Sequence, residues 1–160
     1  MSVSEGACFA HMLERISRDA LFLLEDLPET DLNRPLELPE TNTLFALATH
    51  LVGAAEYWVL VLVGQRQIAR DRAAEFHARG DFAALKERYE RWLEAMHEVL
   101  DRLPDTHLQA PVSGPTTYRY APTDRPLIAR DALLHAVEHS ALHLGHIQLT
   151  RQLLGLPVRG

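Results

Sequence analysis

Apolar side chains recur with helical spacing in four stretches of this chain, and prolines and glycines separate them. In the first, Phe9, Met12, Leu13, Ile16, Ala20, Leu23, Leu24 and Leu27 share one stripe until Pro28 stops it. Pro35 and Pro39 hold the next segment extended. Thr41-Asn42-Thr43 then offers N-cap side chains for a second helix, which runs to about Val63 before Gly64. Its last part, Trp58 to Val63, is apolar on every side, as expected of a helix that is central or packed against another chain. Residues 65–79 are polar and read as a surface connector. Asp81 caps a third helix whose stripe is Phe82, Leu85, Tyr89, Trp92, Leu93, Met96, Val99, Leu100 and Leu103, ended by Pro104. Five prolines make 104–126 irregular, with a short extended piece expected at Thr116–Tyr120. A fourth helix follows from about Leu127 to Leu154, closed by Gly155 and Pro157. Four such helices and no convincing sheet predict one all-α domain over residues 1–160, a four-helix bundle; the long connections 28–41 and 104–126 leave the helix order open.

Composition narrows the class of partner. A net charge of −6 argues against a phosphate-binding surface, so nucleic acid is not expected. No uninterrupted apolar window reads as a membrane span, and the first residues lack the basic and apolar regions of a signal peptide. The lone Cys8, expected to be a small buried hydrophobe near the start of the first helix, excludes an internal disulfide and fits a reducing cytoplasm. Trp58 and Trp92 are expected in the core or an interface.

The candidate chemistry lies in the fourth helix. At about 100° per residue, His135, His139, His143 and His146 fall near 0°, 40°, 80° and 20° of one face. Leu142, Leu149 and Leu153 land on or beside that arc, which predicts that the arc looks into the core. Neutral imidazole is a common metal ligand, and His139 and His143, one turn apart, can reach one ion. His50 on the second helix shares its face with Thr43, Leu47, Ala54, Tyr57 and Val61 and is the best candidate for a third ligand. Three imidazoles leave coordination positions open, as in a reactive zinc site. His135 reads as a packing or supporting residue, and Glu138 as a solvated carboxylate that could orient an imidazole. Tyr57 and His146 are candidates to assist a reaction, and His11, His77, His97 and His107 read as incidental.

The pattern His50-Leu51 with the later Trp58, then His139-x-x-x-His143-x-Gly145, resembles the DinB-like, or YfiT-like, superfamily of bacterial four-helix bundles. The resemblance covers nearly the whole chain in helix order and spacing. It implies His50, His139 and His143 as ligands of a divalent metal, zinc or nickel foremost, an up-down-down-up topology and a homodimer. It also implies a metal-dependent enzyme acting on a small-molecule substrate, either an S-transferase using a low-molecular-weight thiol or a hydrolase. Two positions depart from the family pattern: Leu144 stands where Arg is frequent, and His146 where Gln is frequent. The first removes a possible anion contact and weakens the inference of an acidic thiol; the second offers another ring near the metal. The competing expectations are a non-catalytic bundle with a structural or sensory metal, closed by His146 or His135 as fourth ligand, and a metal-free dimeric interaction protein. In the last, the apolar run of the second helix would be the contact surface.

Overall fold

The computed structural model describes residues 3–114, 121–157 and 159. Its α-helices are α1 (Glu5–Leu24), α2 (Glu29–Leu32), α3 (Leu44–Ala55), α4 (Arg72–Glu75), α5 (Phe82–Leu100) and α6 (Ala129–Leu153). A π-helical stretch, Glu56–Val63, continues α3 without a break, and a 3-10 turn covers Asp105–Gln109. The four long helices are those the apolar spacing predicts. Their starts are set by caps: Ser4 Oγ accepts from the Ala7 N–H at 3.2 Å, Thr43 Oγ1 from Ala46 at 3.2 Å, and Asp81 Oδ1 from Ala84 at 2.9 Å. Ser4 thus begins α1 four residues before Phe9, where the apolar stripe starts. Among the described residues there is no strand, only one isolated bridge between Pro111 and Ile128. The extended piece expected at Thr116–Tyr120 lies outside the described residues.

Cross-helix pairs give the topology. Ser17 of α1 accepts from the Trp92 indole of α5 at 3.1 Å, and Glu14 lies 3.2 Å from His97, so α1 and α5 run antiparallel. The Tyr89 hydroxyl donates to the Ala48 carbonyl at 2.8 Å, and Arg66, just beyond the π-helical stretch, pairs with Glu98 at 2.7 Å. α3 and α5 are therefore parallel. Glu5 pairs with Arg130, and Arg151 donates to the Leu23 carbonyl, which makes α6 parallel to α1. The order is up-down-down-up, and the parallel step from α3 to α5 requires the long 64–81 connection. Asn33 anchors that connection, donating to the Gly80 carbonyl at 2.8 Å and accepting from the Gly80 N–H at 3.1 Å.

The core joins Leu13, Leu24, Leu51, Val59, Trp92, Met96 and Leu133 from all four long helices. The apolar run of the second helix is central: Trp58, Val59, Leu60 and Leu62 are buried within this chain. Val61 and Val63 of the run are partly exposed. By length and mean hydropathy (1.6) alone, Leu44–Val63 would qualify as a membrane span, but His50 and Glu56 interrupt its apolar run and 78% of it is buried by its neighbouring helices.

Two further expectations need correction. Leu142, Leu149 and Leu153 are each more than half exposed. The buried positions of α6, including Ala132, Leu133, Ala136, Ser140 and Ile147, centre about 80° round the helix from the histidines. The histidine arc is thus the border of the buried face, and these leucines lie beyond it towards solvent. Cys8 is also exposed, because the buried face of α1 passes through Gly6, Ala10 and Leu13 instead.

Candidate metal centre

α3 is buried along its whole length, and its position in mid-bundle places His50 at 2% exposure facing α6. The antiparallel α6 brings His139 and His143 opposite. The ring centroid of His50 lies 5.0 Å from that of His139 and 4.6 Å from that of His143, and the latter two are 4.4 Å apart. One nitrogen from each of the three rings lies within 4.8 Å of the others. The group contains no fourth His, Cys, Asp or Glu among the described residues.

The connector supplies what the helices do not. Asp71 caps the single turn α4, its Oδ1 accepting from Ala74 at 3.0 Å, and that turn buries Glu75. Glu75 Oε2 stands 2.7 Å from His50 Nδ1. Arg70 holds the same carboxylate with two bonds, Nε to Oε1 at 2.7 Å and Nη2 to Oε2 at 2.9 Å. Gly53, one turn after His50, makes room: a Cβ there would overlap the Glu75 carboxylate, lying 2.9 Å from Cδ. Phe76 covers His50 with its ring centroid 4.5 Å away.

This arrangement fixes the tautomer. Burial alone would push the Glu75 carboxyl up, but the bonds from His50 and Arg70 outweigh it and bring the pKa to about 2. A carboxylate accepts only, so His50 donates from Nδ1, and in the neutral ring Nε2 carries the lone pair. That lone pair points at His139 Nε2, 3.3 Å away. Two nitrogens bound to one tetrahedral zinc at about 2.0–2.1 Å lie about 3.3–3.4 Å apart. The donor set and this spacing fit a divalent ion. Burial first, and then the neighbouring rings, lower His139 to about 3. His143 falls to about 4 for the same reasons, helped by Arg72. Both rings are neutral near pH 7 and available as ligands.

The remaining candidates occupy other places. His135 packs edge-on against Trp58 with ring centroids 4.4 Å apart and lies 5.5 Å from His139, outside the close group. His146 is exposed, with Nδ1 3.3 Å from Nδ1 of His143. Glu138 does not orient a candidate ligand: its carboxylate is 3.9 Å from His135 Nδ1 and its side chain is 76% exposed. Tyr57 lines a cavity of about 260 Å³ with Arg70, Glu75, Glu56 and Arg88, and none of the three histidines borders it. Sequence reasoning missed Glu75, Arg70 and Phe76 because 65–79 has no apolar period. The available signal was Asp71 as an N-cap followed by Ala73 and Ala74, a turn short enough to escape a periodicity search.

The model of the DinB superfamily matches residues 12–147. The chain belongs to the DinB superfamily. The matched segment includes all three triad histidines and Glu75. Among solved structures, this DinB-superfamily chain is similar to a DinB-like protein from Bacillus cereus ATCC 10987, at 19% identity and a TM-score of 0.71 over 95% of this chain and 94% of that one. It is also similar to a conserved protein from Enterococcus faecalis, at 13% identity and a TM-score of 0.74 over 96% and 99%. At these identities the likeness is one of fold. No curated protein matches the chain in sequence.

Proposed function

We propose that this DinB-superfamily protein is a divalent-metal-dependent enzyme acting on small molecules, with His50, His139 and His143 as the metal ligands. The observation that carries the reading is the chain Arg70–Glu75–His50. A buried carboxylate on the distal nitrogen of a histidine is the support that metal-ligating imidazoles commonly have, orienting the ring and raising its basicity. Zinc or nickel suits a set of three neutral imidazoles. Such an ion, when bound, lowers the pKa of a thiol or water beside it. S-transfer from a low-molecular-weight thiol to an electrophilic small molecule is the reaction favoured by the family resemblance, and hydrolysis is the nearest variant.

The chain's own groups set the conditions for either reaction. His50 closes the inner side of the site, with the partly exposed Phe76 packed against its ring. His143 and the exposed His146 form its outer edge, where substrate approaches and where His146 can take up or return a proton. The histidines sit on the border of the buried face of α6, so they combine a dry interior with access from solvent.

The test is a turnover screen of zinc- and nickel-loaded protein with glutathione, cysteine and 2-mercaptoethanol against a fluorogenic electrophile, with activated esters in parallel. The proposal expects metal-dependent turnover that His139→Ala abolishes. Rates equal to the protein-free blank with every thiol and ester would count against catalysis and favour a structural or sensory metal.

A further inference from the structure

Arg151 is a buried cation, and no Asp or Glu among the described residues pairs with it. It stands in the last turn of α6 at 4% exposure. Its two hydrogen bonds go to backbone carbonyls, Nη1 donating to Leu23 and Nη2 to Pro157. A guanidinium has five N–H donors, so three are left. Charged side chains this deep are rarely found without an opposite charge. Leu23 lies in the last turn of α1, whose carbonyls offer only the partial negative charge of a helix end, about half an elementary charge. Burial, and then the neighbouring charge of Arg159, act against the protonated form of Arg151, yet arginine keeps its proton in proteins.

This guanidinium forms part of the wall of a cavity of about 210 Å³ between the C-terminal ends of α1 and α6 and the segment after α6. Leu23 and Pro157, whose carbonyls it holds, line the same cavity, together with Gln148, Gln152, Leu156 and Arg159. No Asp or Glu is among the lining residues. Arg159 is already balanced: Nη2 donates to Asp26 at 2.8 Å, and Glu25 lies 3.4 Å from Nη1. The amides of Gln148 and Gln152 make no hydrogen bond among the described residues. One positive charge is left over, beside two free amides and an apolar wall. The metal centre is elsewhere: Arg151 lies eight residues beyond His143, about 12 Å along α6, and none of the three histidines lines this cavity.

We propose that this cavity is a second ligand site, which takes a small monocarboxylic acid: the carboxylate pairs with Arg151, and the apolar remainder rests against Leu23 and Leu156. The planar guanidinium fork matches a carboxylate, and a single negative charge matches the single uncompensated cation. A phosphate group, at about −1.5 to −2 near pH 7, would exceed that charge and would face Glu25 and Asp26 beside Arg159. An acid bound here ties the ends of α1 and α6 to the segment that follows α6.

The full chain, isotope-labelled for NMR, is titrated at constant ionic strength with isobutyrate, acetate, the neutral isostere isobutyramide and inorganic phosphate. The side-chain N–H signals of Gln148, Gln152 and Arg151 report on this cavity alone, whatever the probes do at the histidines. They should shift saturably with isobutyrate, more weakly with acetate, and not with isobutyramide. Arg151→Gln should weaken isobutyrate by about tenfold or more, the worth of a hydrogen-bonded contact to a charged group. Because Arg151 also holds the end of α1, Gln152→Glu is measured beside it. That variant keeps Arg151 and its carbonyl bonds, places a fixed carboxylate on the cavity wall, and should weaken isobutyrate by about tenfold as well. No saturable shift in wild type, equal shifts with isobutyrate and isobutyramide, tighter binding of phosphate, or unchanged isobutyrate affinity in Gln152→Glu each overturns the inference.

Discussion

Glu75→Gln isolates the support of His50 from the triad itself. The side chain keeps its size and loses its charge. Glu75 accepts three bonds, one from His50 Nδ1 to Oε2, one from Arg70 Nη2 to Oε2, and one from Arg70 Nε to Oε1. A glutamine amide has one acceptor oxygen, so its best orientation keeps that oxygen at the Oε2 position and turns NH2 towards Arg70 Nε. His50 retains a neutral partner in place of an anionic one, and a largely buried guanidinium faces a donor. Loss of a carboxylate behind a metal-bound histidine lowers metal affinity about 10- to 100-fold, or about 1.4–2.7 kcal/mol. The unmatched donor costs the metal-free protein about 1–3 kcal/mol of stability. Zinc affinity is read by competition with a chromophoric chelator, and stability by denaturant unfolding of the metal-free forms. Zinc affinity within twofold of wild type, in a variant that folds normally, would refute the argument that Glu75 serves a metal ligand.

Further outcomes follow from the same geometry. Gly53→Ala, whose new Cβ would overlap the Glu75 carboxylate, should weaken zinc binding in the same competition assay although every ligand is intact. Leu133→Ala, at a fully buried position, should cost about 2–5 kcal/mol in denaturant unfolding. Leu149→Ala at 51% exposure should stay within about 0.5 kcal/mol of wild type. The metal-free protein should lose stability as pH falls. His139 and His143 have folded-state pKa values depressed to about 3 and 4, so below the unfolded value of 6.5 the unfolded chain takes up protons that the folded chain refuses. Glu75, depressed to about 2 from 4.5, adds to the loss between those values. Unfolding midpoints measured from pH 7.5 to pH 4.5 should therefore decline, and a flat profile would contradict the burial of neutral rings.

The helices were legible because burial leaves a periodic trace: Leu13, Ile16, Ala20 and Leu24 on α1, and Leu85, Tyr89, Trp92 and Met96 on α5, line the core as their spacing implies. The grouping of the three histidines was legible because two of them share one turn of α6 and the third sits on the inner face of α3. The burial of the α6 face was misjudged for a physical reason. Leucine raises apparent hydrophobicity wherever it sits, while Ala132, Ala136, Ser140 and Thr150, which α6 buries, carry little apolar weight. Small residues face the neighbouring helices because they allow close approach, and a pattern weighted by side-chain size points away from them. The support of His50 was hidden differently. Glu75 reaches the site through a single turn of helix and a gap left by Gly53, neither of which has a period to detect. The π-helical stretch, which carries Trp58 to His135, has no sequence signature either.

The most direct measurement is the metal content of protein purified without a histidine tag and incubated with zinc or nickel, for wild type, His50→Ala and His139→Ala. The account predicts about one tightly held divalent ion per wild-type chain and its loss from both variants, with the helical fold retained. No bound ion in wild type, or an ion that both variants keep, would contradict it.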